Sequence, residues 1–284
     1  MPKIVSHITQ RVAGKELLFL EDADYLSMLA TMKDIAKRRS LDIYAFCLMP
    51  NHVHILASPR AEGLDQAMRD LFSRYAMMFN RKYERKGHLF AGPYRQAVCL
   101  DDAYLLAASL YIHMNPVRGG LVGDPRYYRW SSIRLFEDRS APRSFVRPGF
   151  VLRLLGEEDQ ERKKTYTELI ERSLSLRAED VLEKPDAVTR FRKALAQAFP
   201  SVFSGVGKKK HIARRTGVEL IDEEELQEKI MAVKSEARHR LPETRKARRF
   251  LVEQLIARGY KRGDIAAMIG MSAKTVYNIM RGGE

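Results

Sequence analysis

The 284-residue chain contains little cysteine, little tryptophan and no long apolar run. Two cysteines, Cys47 and Cys99, are too few for a disulfide scaffold or a four-cysteine zinc site, and we expect both to be buried thiols in a reducing compartment. No uncharged apolar run approaches the roughly 18 residues that a membrane span needs. Residues 1–12 also lack the apolar stretch of a signal peptide. These absences favour a cytoplasmic protein with no membrane partner.

The chain also has fewer acidic than basic residues. The 50 Lys+Arg outnumber the 36 Asp+Glu, which gives a net charge of +14. A polyanionic partner fits this surplus, and nucleic acid is the first candidate because neutralised phosphates release their counterions. Charge alone leaves open a basic protein without such a partner. The length allows one large domain or two smaller ones.

The apolar pattern predicts alternating strands and helices in the first half of the chain. Strands are predicted over residues 3–12, 42–49, 52–58 and 94–100, and helices from about Asp22, over about 64–84, and from Asp101 to about Asn115, where Pro116 stops the helix. The order β-α-β-β-α-β-α is typical of the split-βαβ pattern. We therefore expect an α+β, ferredoxin-like (RRM-like) fold with an antiparallel sheet and one added helix.

Two histidines stand in an otherwise apolar strand. Strand side chains alternate, so His52 and His54 share one face while Val53 takes the other. Two neighbouring imidazoles are a partial ligand set for a divalent metal. The plainer interpretation is that one histidine caps the turn at Pro50-Asn51 and the other is exposed, because two ligands do not make a site.

The third predicted helix adds a tyrosine and an asparagine. Tyr111 and Asn115 are four residues apart and lie on one helical face. An asparagine oxygen is a suitable third ligand for Mg²⁺ or Mn²⁺, and a tyrosine can act as a covalent nucleophile. Tyr104 lies on a similar face seven residues earlier, and packing alone explains either ring. The spacing does not choose among these possibilities.

Three separated segments together carry a family resemblance. Residues 45–56 (AFCLMPNHVHIL), 88–97 (HLFAGPYRQA) and 111–122 (YIHMNPVRGGLV) closely resemble the single-tyrosine HUH transposases, where HUH means His–hydrophobic–His. The YIHxNPVR version is similar to that of the REP-associated tyrosine transposases, and Trp130-Ser131-Ser132 also fits. The resemblance covers roughly residues 3–140.

This resemblance implies a metal-dependent endonuclease and strand transferase that acts on single-stranded DNA at hairpin-forming repeats. Tyr111 matches the nucleophile that forms a 5′-phosphotyrosine, and His52, His54 and Asn115 match the ligands of Mg²⁺ or Mn²⁺. It also implies a bacterial, nucleoid-associated protein that works as a monomer, whereas related transposases that exchange the tyrosine helix are dimers. Two alternatives stay open: a DNA-hairpin-binding regulator that no longer cuts, and a hydrolase that uses water and a nearby carboxylate base.

Basic residues around this predicted site are candidate DNA contacts, with a solvated basic face as the alternative. They are Arg69, Arg74, Arg81, Lys82, Arg85, Lys86, Arg95 and Arg118. Tyr83, Phe90 and Tyr94 are interleaved with these charges and can stack on bases, although each is also a natural core residue.

The C-terminal region carries a second DNA-binding signal. We divide the chain into the HUH domain (1–140), a helical region of unassigned role (141–235) and a helix-turn-helix domain (236–284), with Gly270 in the turn and Ser272 as an N-cap. The last segment resembles the C-terminal domain of bacterial replication initiators, which implies contact with duplex DNA. Its predicted exposed readers are Lys274, Thr275, Tyr277, Asn278 and Arg281. An ordinary helical hairpin is the alternative.

Overall fold

The computed structural model describes residues 5–14, 16–60, 63–99, 101–137, 144–175, 187–208, 221, 223–235, 242–257, 260 and 262–280. A four-stranded antiparallel sheet organises its first part, with strands β1 (Ser6–Arg11), β2 (Leu41–Met49), β3 (His52–Pro59) and β4 (Arg95–Val98). The strand order is β2-β3-β1-β4, which is the ferredoxin-like order that the sequence predicts. The histidine strand β3 therefore lies inside the sheet, between β2 and β1.

Two helices separate these strands along the chain, α1 (Asp22–Arg38) and α2 (Leu64–Lys82). The predicted apolar face of α2 is buried from Leu64 to Phe79, as its helical spacing requires. In α1 the buried stripe contains Met28, Met32 and Ile35. Leu26 lies outside this stripe and is 56% exposed.

The third helix, α3 (Asp102–Arg118), is longer than predicted. Asp101 caps it as expected, since its carboxylate accepts the Tyr104 backbone N–H at 2.6 Å. Pro116 does not end the helix. A proline removes one backbone donor, and here it lies in the last turn, which closes through the bond from Gly119 N–H to the Asn115 carbonyl at 2.8 Å. The extra turn makes Arg118 a helical residue.

The rest of the described chain is helical, in agreement with the sequence. Its helices are α4 (Arg134–Glu137), α5 (Gly149–Leu152), α6 (Asp159–Ser173), α7 (Ala187–Ala198), α8 (Pro200–Lys208), α9 (Glu223–Ser235), α10 (Pro242–Ala257), α11 (Arg262–Ile269) and α12 (Ala273–Met280). None of the described helices is long and apolar enough to cross a membrane.

Buried apolar side chains form two separate clusters. The first contains the sheet with α1–α3 and extends to Phe203 and Val206 of α8. The second joins α9 to α12, from Leu226 to Val276. The segment 141–235 thus contributes to both clusters, while the domain boundaries at 140 and 235 stay predictions.

The Trp130-Ser131-Ser132 segment covers the outer edge of β2. The Trp130 carbonyl accepts the Leu48 N–H at 2.9 Å, and the Ser132 hydroxyl accepts the Phe46 N–H at 2.9 Å. The Trp130 ring stacks on Tyr25 with 4.3 Å between ring centroids. Pairing an edge strand in this way satisfies its backbone groups and prevents it from pairing with another chain.

Candidate active site

The pairing of β1 with β3 builds a polar face in the middle of the sheet. In this antiparallel register Thr9 lies opposite His54 and Arg11 opposite His52, so the four side chains share one face. His7 joins them two residues before Thr9. Its Nε2 lies 2.9 Å from Nδ1 of His54, and the two imidazoles stack with 5.1 Å between ring centroids.

His7 is a site residue that sequence reasoning missed. The alternation in β1 places His7, Thr9 and Arg11 on one face, which is readable from the sequence. That this face is shared with His52 and His54 depends on the strand register, which the sequence does not specify.

Helix α3 crosses this face and brings Tyr111 to the histidines. The Tyr111 ring makes edge contacts with His54 and with His7, each with 5.9 Å between centroids. The competing Tyr104 lies two turns earlier on α3, with the Arg192 guanidinium 6.0 Å from its ring centroid. The structure therefore places Tyr111 with the predicted metal ligands.

Asn115, one helical turn after Tyr111, faces both imidazoles of the HUH pair. Its side-chain nitrogen donates to the Tyr111 carbonyl at 2.9 Å, so its oxygen is the atom left for the histidines. The polar side chain of Asn115 raises the pKa of both His52 and His54, which partly opposes the effect of burial.

Burial keeps the imidazoles of this cluster neutral. Desolvation, aided by the charge of Arg11, lowers the pKa of His52 to about 4, and desolvation with the influence of His52 lowers the pKa of His7 to about 4. Burial also sets the pKa of His54 well below its usual value. At pH 7 the ring nitrogens therefore keep the lone pairs that metal coordination requires.

The tyrosine is buried as well. Burial raises the pKa of Tyr111, while the charge of Arg118 and hydrogen bonds from Asn115 and Arg118 lower it. Tyr111 is 3% exposed, and Phe191 of α7 makes an edge contact with its ring at 6.1 Å between centroids. The phenol thus lies between the histidine face and helix α7.

The chemistry of this donor set fits a divalent cation. Nε2 of His54 is buried without a hydrogen-bond partner, and the Asn115 oxygen faces the same region. Within the described ranges, no group of three or more His, Cys, Asp and Glu side chains could hold a metal. A cation here would therefore depend on the two imidazoles, the Asn115 amide and oxygen ligands from water or substrate.

His113 belongs to a structural network rather than to this site. Its ring nitrogens lie 2.8 Å from the Tyr166 hydroxyl and 2.9 Å from the Ser132 hydroxyl, and the residue is fully buried. Desolvation lowers its pKa to about 3. The network joins α3 to α6 and to the segment that pairs with β2.

Several predicted DNA contacts are engaged within the protein. Arg74 pairs with Asp34 and Arg85 with Glu16, while the Lys82 ammonium lies 2.6 Å from the buried carboxylate of Asp24. The other predicted contacts on α2, β4 and their connection are exposed: Arg69, Arg81, Lys86 and Arg95. Contact with DNA stays a prediction for all of them.

The last two described helices have the local geometry that the sequence predicts. Gly270 adopts φ +71 between α11 and α12, and the Ser272 hydroxyl accepts the Thr275 N–H at 3.1 Å. The predicted readers Lys274, Thr275 and Asn278 are exposed, whereas Tyr277 is half-buried with the Arg262 guanidinium 5.1 Å from its ring centroid. Arg281 lies outside the described residues. Whether this pair of helices binds duplex DNA stays a prediction.

The first part of the chain is similar to a known protein family. Residues 3–115 match the family model "Transposase IS200 like". That segment contains the sheet, the two histidines, Tyr111 and Asn115, and it is similar to the transposases that this family model describes. The match confirms the resemblance carried by the sequence motifs.

One solved structure is described as a REP-associated tyrosine transposase bound to a REP hairpin. It is 14% identical to this chain, covers 46% of this chain and 78% of its own, and has a TM-score of 0.41. No curated protein has significant similarity to the chain.

Proposed function

We propose that this chain is a metal-dependent endonuclease and strand transferase that cuts single-stranded DNA at hairpin-forming repeats. The observation that carries the proposal is the position of Tyr111, whose ring contacts His7 and His54 while Asn115 on the same helical face reaches both HUH histidines. A phenol beside a neutral imidazole pair is suited to phosphoryl transfer through a covalent intermediate.

The reaction proposed for this site is one displacement and its reversal. The Tyr111 oxygen attacks phosphorus in line, loses its proton to solvent and forms a tyrosine–phosphate bond with the 5′ side of the DNA. The bond from phosphorus to the 3′ oxygen breaks, and that oxygen takes a proton to become a 3′-hydroxyl. Attack by the same or another 3′-hydroxyl reverses the step, so rejoining requires no external energy source.

His52, His54 and Asn115 are the residues that would hold Mg²⁺ or Mn²⁺. A bound cation would polarise the phosphate and stabilise charge that grows in the transition state. The protein's own part is to keep both imidazoles neutral and to hold the Asn115 oxygen towards them, through the bond from its amide nitrogen to the Tyr111 carbonyl.

A second candidate function is a DNA-hairpin-binding regulator that does not cut. The burial of the site favours it, since Tyr111, His52, His54 and Asn115 are each at most 4% exposed. A phosphate can reach Tyr111 only if contacts around the site rearrange on DNA binding. The two functions share DNA binding and differ in the covalent step.

Covalent trapping distinguishes the two functions. Labelled hairpin oligonucleotides from the repeats flanking the gene are incubated with Mn²⁺, and protein–DNA adducts are resolved on a denaturing gel. We expect an adduct with the wild type and with Tyr104→Phe, and none with Tyr111→Phe, because Tyr111, unlike Tyr104, contacts the histidines. Tight hairpin binding without an adduct would instead support the regulator.

A carboxylate-assisted hydrolase gives a third result. It would cleave the labelled DNA without forming an adduct, and Tyr111→Phe would retain that cleavage. Such an outcome would contradict the role of Tyr111 while leaving a metal-dependent nuclease in place.

A further inference from the structure

Arg118 contacts two aromatic rings, one of which belongs to Tyr111. Its guanidinium carbon is 5.0 Å from the Tyr111 ring centroid and 4.2 Å from that of Phe191. Tyr111, Asn115 and Arg118 are spaced i, i+4 and i+7 on α3, which places them on one helical face. The helical turn beyond Pro116 is what gives Arg118 this position.

This guanidinium has a buried donor that the protein does not satisfy. Nη1 of Arg118 is buried and makes no hydrogen bond, and no carboxylate pairs with Arg118 in the part of the chain that the structure describes. Buried donors are almost always paired in proteins, and a buried cationic donor is the most costly to leave alone. The neighbouring histidines cannot act as counter-ions, because they are neutral or positive. An oxyanion is the ligand that would complete this site.

The anion that the proposed function brings to this place is the phosphodiester. We propose that Arg118 binds a non-bridging oxygen of the scissile phosphate and neutralises the charge that grows there as the Tyr111 oxygen attacks. This inference rests on the proposed function and adds a catalytic residue to it. Arg118 stays protonated throughout, so the proton and bond changes of the reaction are unaltered.

Phe191 has a positioning role in this arrangement. It lies on α7, far along the chain from residues 3–115 that match the transposase family. Its ring contacts the guanidinium, as expected for a cation over an aromatic face, and also makes an edge contact with the Tyr111 ring. This gives a function to part of the helical segment 141–235, for which sequence motifs suggest none.

The test removes the positive charge of Arg118, the negative charge of the phosphate, or both. The cleavage phosphate, mapped with the wild type, is substituted by an uncharged methylphosphonate, and the rate of adduct formation is measured for wild type and Arg118→Met. With normal DNA we expect Arg118→Met to slow adduct formation about 100-fold, the usual effect of removing one oxyanion donor. With methylphosphonate DNA the two proteins should differ by less than about fivefold, because the charge that Arg118 neutralises is gone.

Two further variants separate electrostatics from packing. Arg118→Lys keeps the charge and should recover part of the rate on normal DNA. Arg192→Met is the matched control, since Arg192 also lies over a tyrosine of α3 but pairs with Asp101 at 3.0 Å. Its effect should be small and the same on both substrates. An equal loss on both substrates for Arg118→Met would overturn the inference.

Phe191 is tested in the same assay. Phe191→Leu removes the aromatic face and should slow adduct formation on normal DNA, whereas Phe191→Tyr keeps the face and should retain the rate. An adduct rate above wild type for Phe191→Leu would show that Phe191 only obstructs the site, and it would overturn the positioning role.

Binding measurements test phosphate binding by Arg118 even if the proposed function fails. If the wild type forms no adduct, the proposed function fails. The affinity of Tyr111→Phe protein for hairpins is then measured, with the phosphates of the flanking strand replaced by methylphosphonate one at a time. One replacement should weaken binding about tenfold when Arg118 is present and have no effect after Arg118→Met. No such position would contradict phosphate binding by Arg118.

Discussion

In the candidate site, the orientation of the His54 ring depends on the residues that contact its second nitrogen. His54 faces Asn115 through Nε2, and its other ring nitrogen lies 2.9 Å from His7 and 3.2 Å from the Thr9 hydroxyl. In metal sites the partner of the second imidazole nitrogen fixes the tautomer and the ring orientation of the ligand. His7 and Thr9 hold that position here, so they fix the orientation of the His54 ring.

Changing His7 should therefore weaken metal binding without removing a ligand. We expect His7→Phe to reduce Mn²⁺ affinity about tenfold to 100-fold, the range seen when such supporting residues are lost. His7→Gln retains a hydrogen-bonding group and should lose less. Isothermal titration with Mn²⁺ gives the affinities, and His88→Phe, an exposed histidine, is the control. Equal affinities for wild type and His7→Phe would contradict this role.

Burial of His113 predicts that the stability of the protein depends on pH. Its pKa in the folded protein is about 3, below the ordinary value of 6.5, because burial disfavours the charged ring. The unfolded chain therefore binds a proton that the fold excludes, and the free energy of unfolding falls as pH drops from 6.5 towards 3. The expected contribution is at most about 1.4 kcal/mol for each pH unit.

Urea unfolding between pH 7 and pH 4 measures this effect. His113→Asn should be less stable than wild type at pH 7, since the bonds to Tyr166 and Ser132 are disturbed. Its stability should nevertheless depend less steeply on pH than that of the wild type. The same pH dependence in both proteins would assign the acid sensitivity to other groups.

At the scale of elements, the local patterns of the chain predict the strands and the long helices well. The split-βαβ order, the apolar face of α2 and the cap at Asp101 follow from periodicity and capping chemistry, which act over a few residues. The features that were missed depend on longer-range packing. Strand register decides that His7 joins His54, and the packing of α7 decides that Phe191 reaches Tyr111.

Helix α3 ends later than the rule that proline stops a helix predicts. Pro116 is unfavourable inside a helix, yet its position in the last turn costs only the bond that its own N–H would have made. The consequence for the site is large, because Arg118 moves from a loop to the face that carries Tyr111. The rule about helix ends was therefore wrong at the residue for which a role in catalysis is proposed.

An ion pair joins helices α1 and α2, and it gives Lys82 a structural role in addition to its predicted DNA contact. Its ammonium pairs with Asp24, a carboxylate that is 3% exposed and also accepts the backbone N–H groups of Leu20 and Glu21. Removing the cation leaves Asp24 buried without its counter-ion.

We therefore expect Lys82→Met to lower the midpoint of thermal unfolding by a few degrees, while Lys86→Met, which removes an exposed cation of the same region, leaves it unchanged. Hairpin affinity measured well below the unfolding temperature separates the two roles of Lys82. A loss of affinity without a loss of stability would show that Lys82 is mainly a DNA contact.

At the scale of the whole molecule, both the C-terminal region and the rest of the chain carry a net positive charge. The chain carries a net charge of +14, and residues 236–284 contain 11 Lys+Arg and 5 Asp+Glu. Under the proposed function, a site that cuts single strands and a basic module that contacts neighbouring duplex would act on one DNA molecule together. Linking them raises the local concentration of each DNA segment at its site, so modest affinities suffice.

Duplex binding by the C-terminal helices is tested through the salt dependence of binding. Lys274 is exposed at the start of α12, where a phosphate contact would release about one counterion. We expect Lys274→Gln to weaken binding of hairpins that carry flanking duplex and to reduce the slope of log K against log salt by about 0.9. Binding of the bare hairpin should not change. Lys229→Gln, in α9 of the same apolar cluster, is the control because Lys229 already pairs with Glu225. Equal slopes for the two variants would place the duplex contact elsewhere, since each phosphate contact that is lost must appear in the salt dependence.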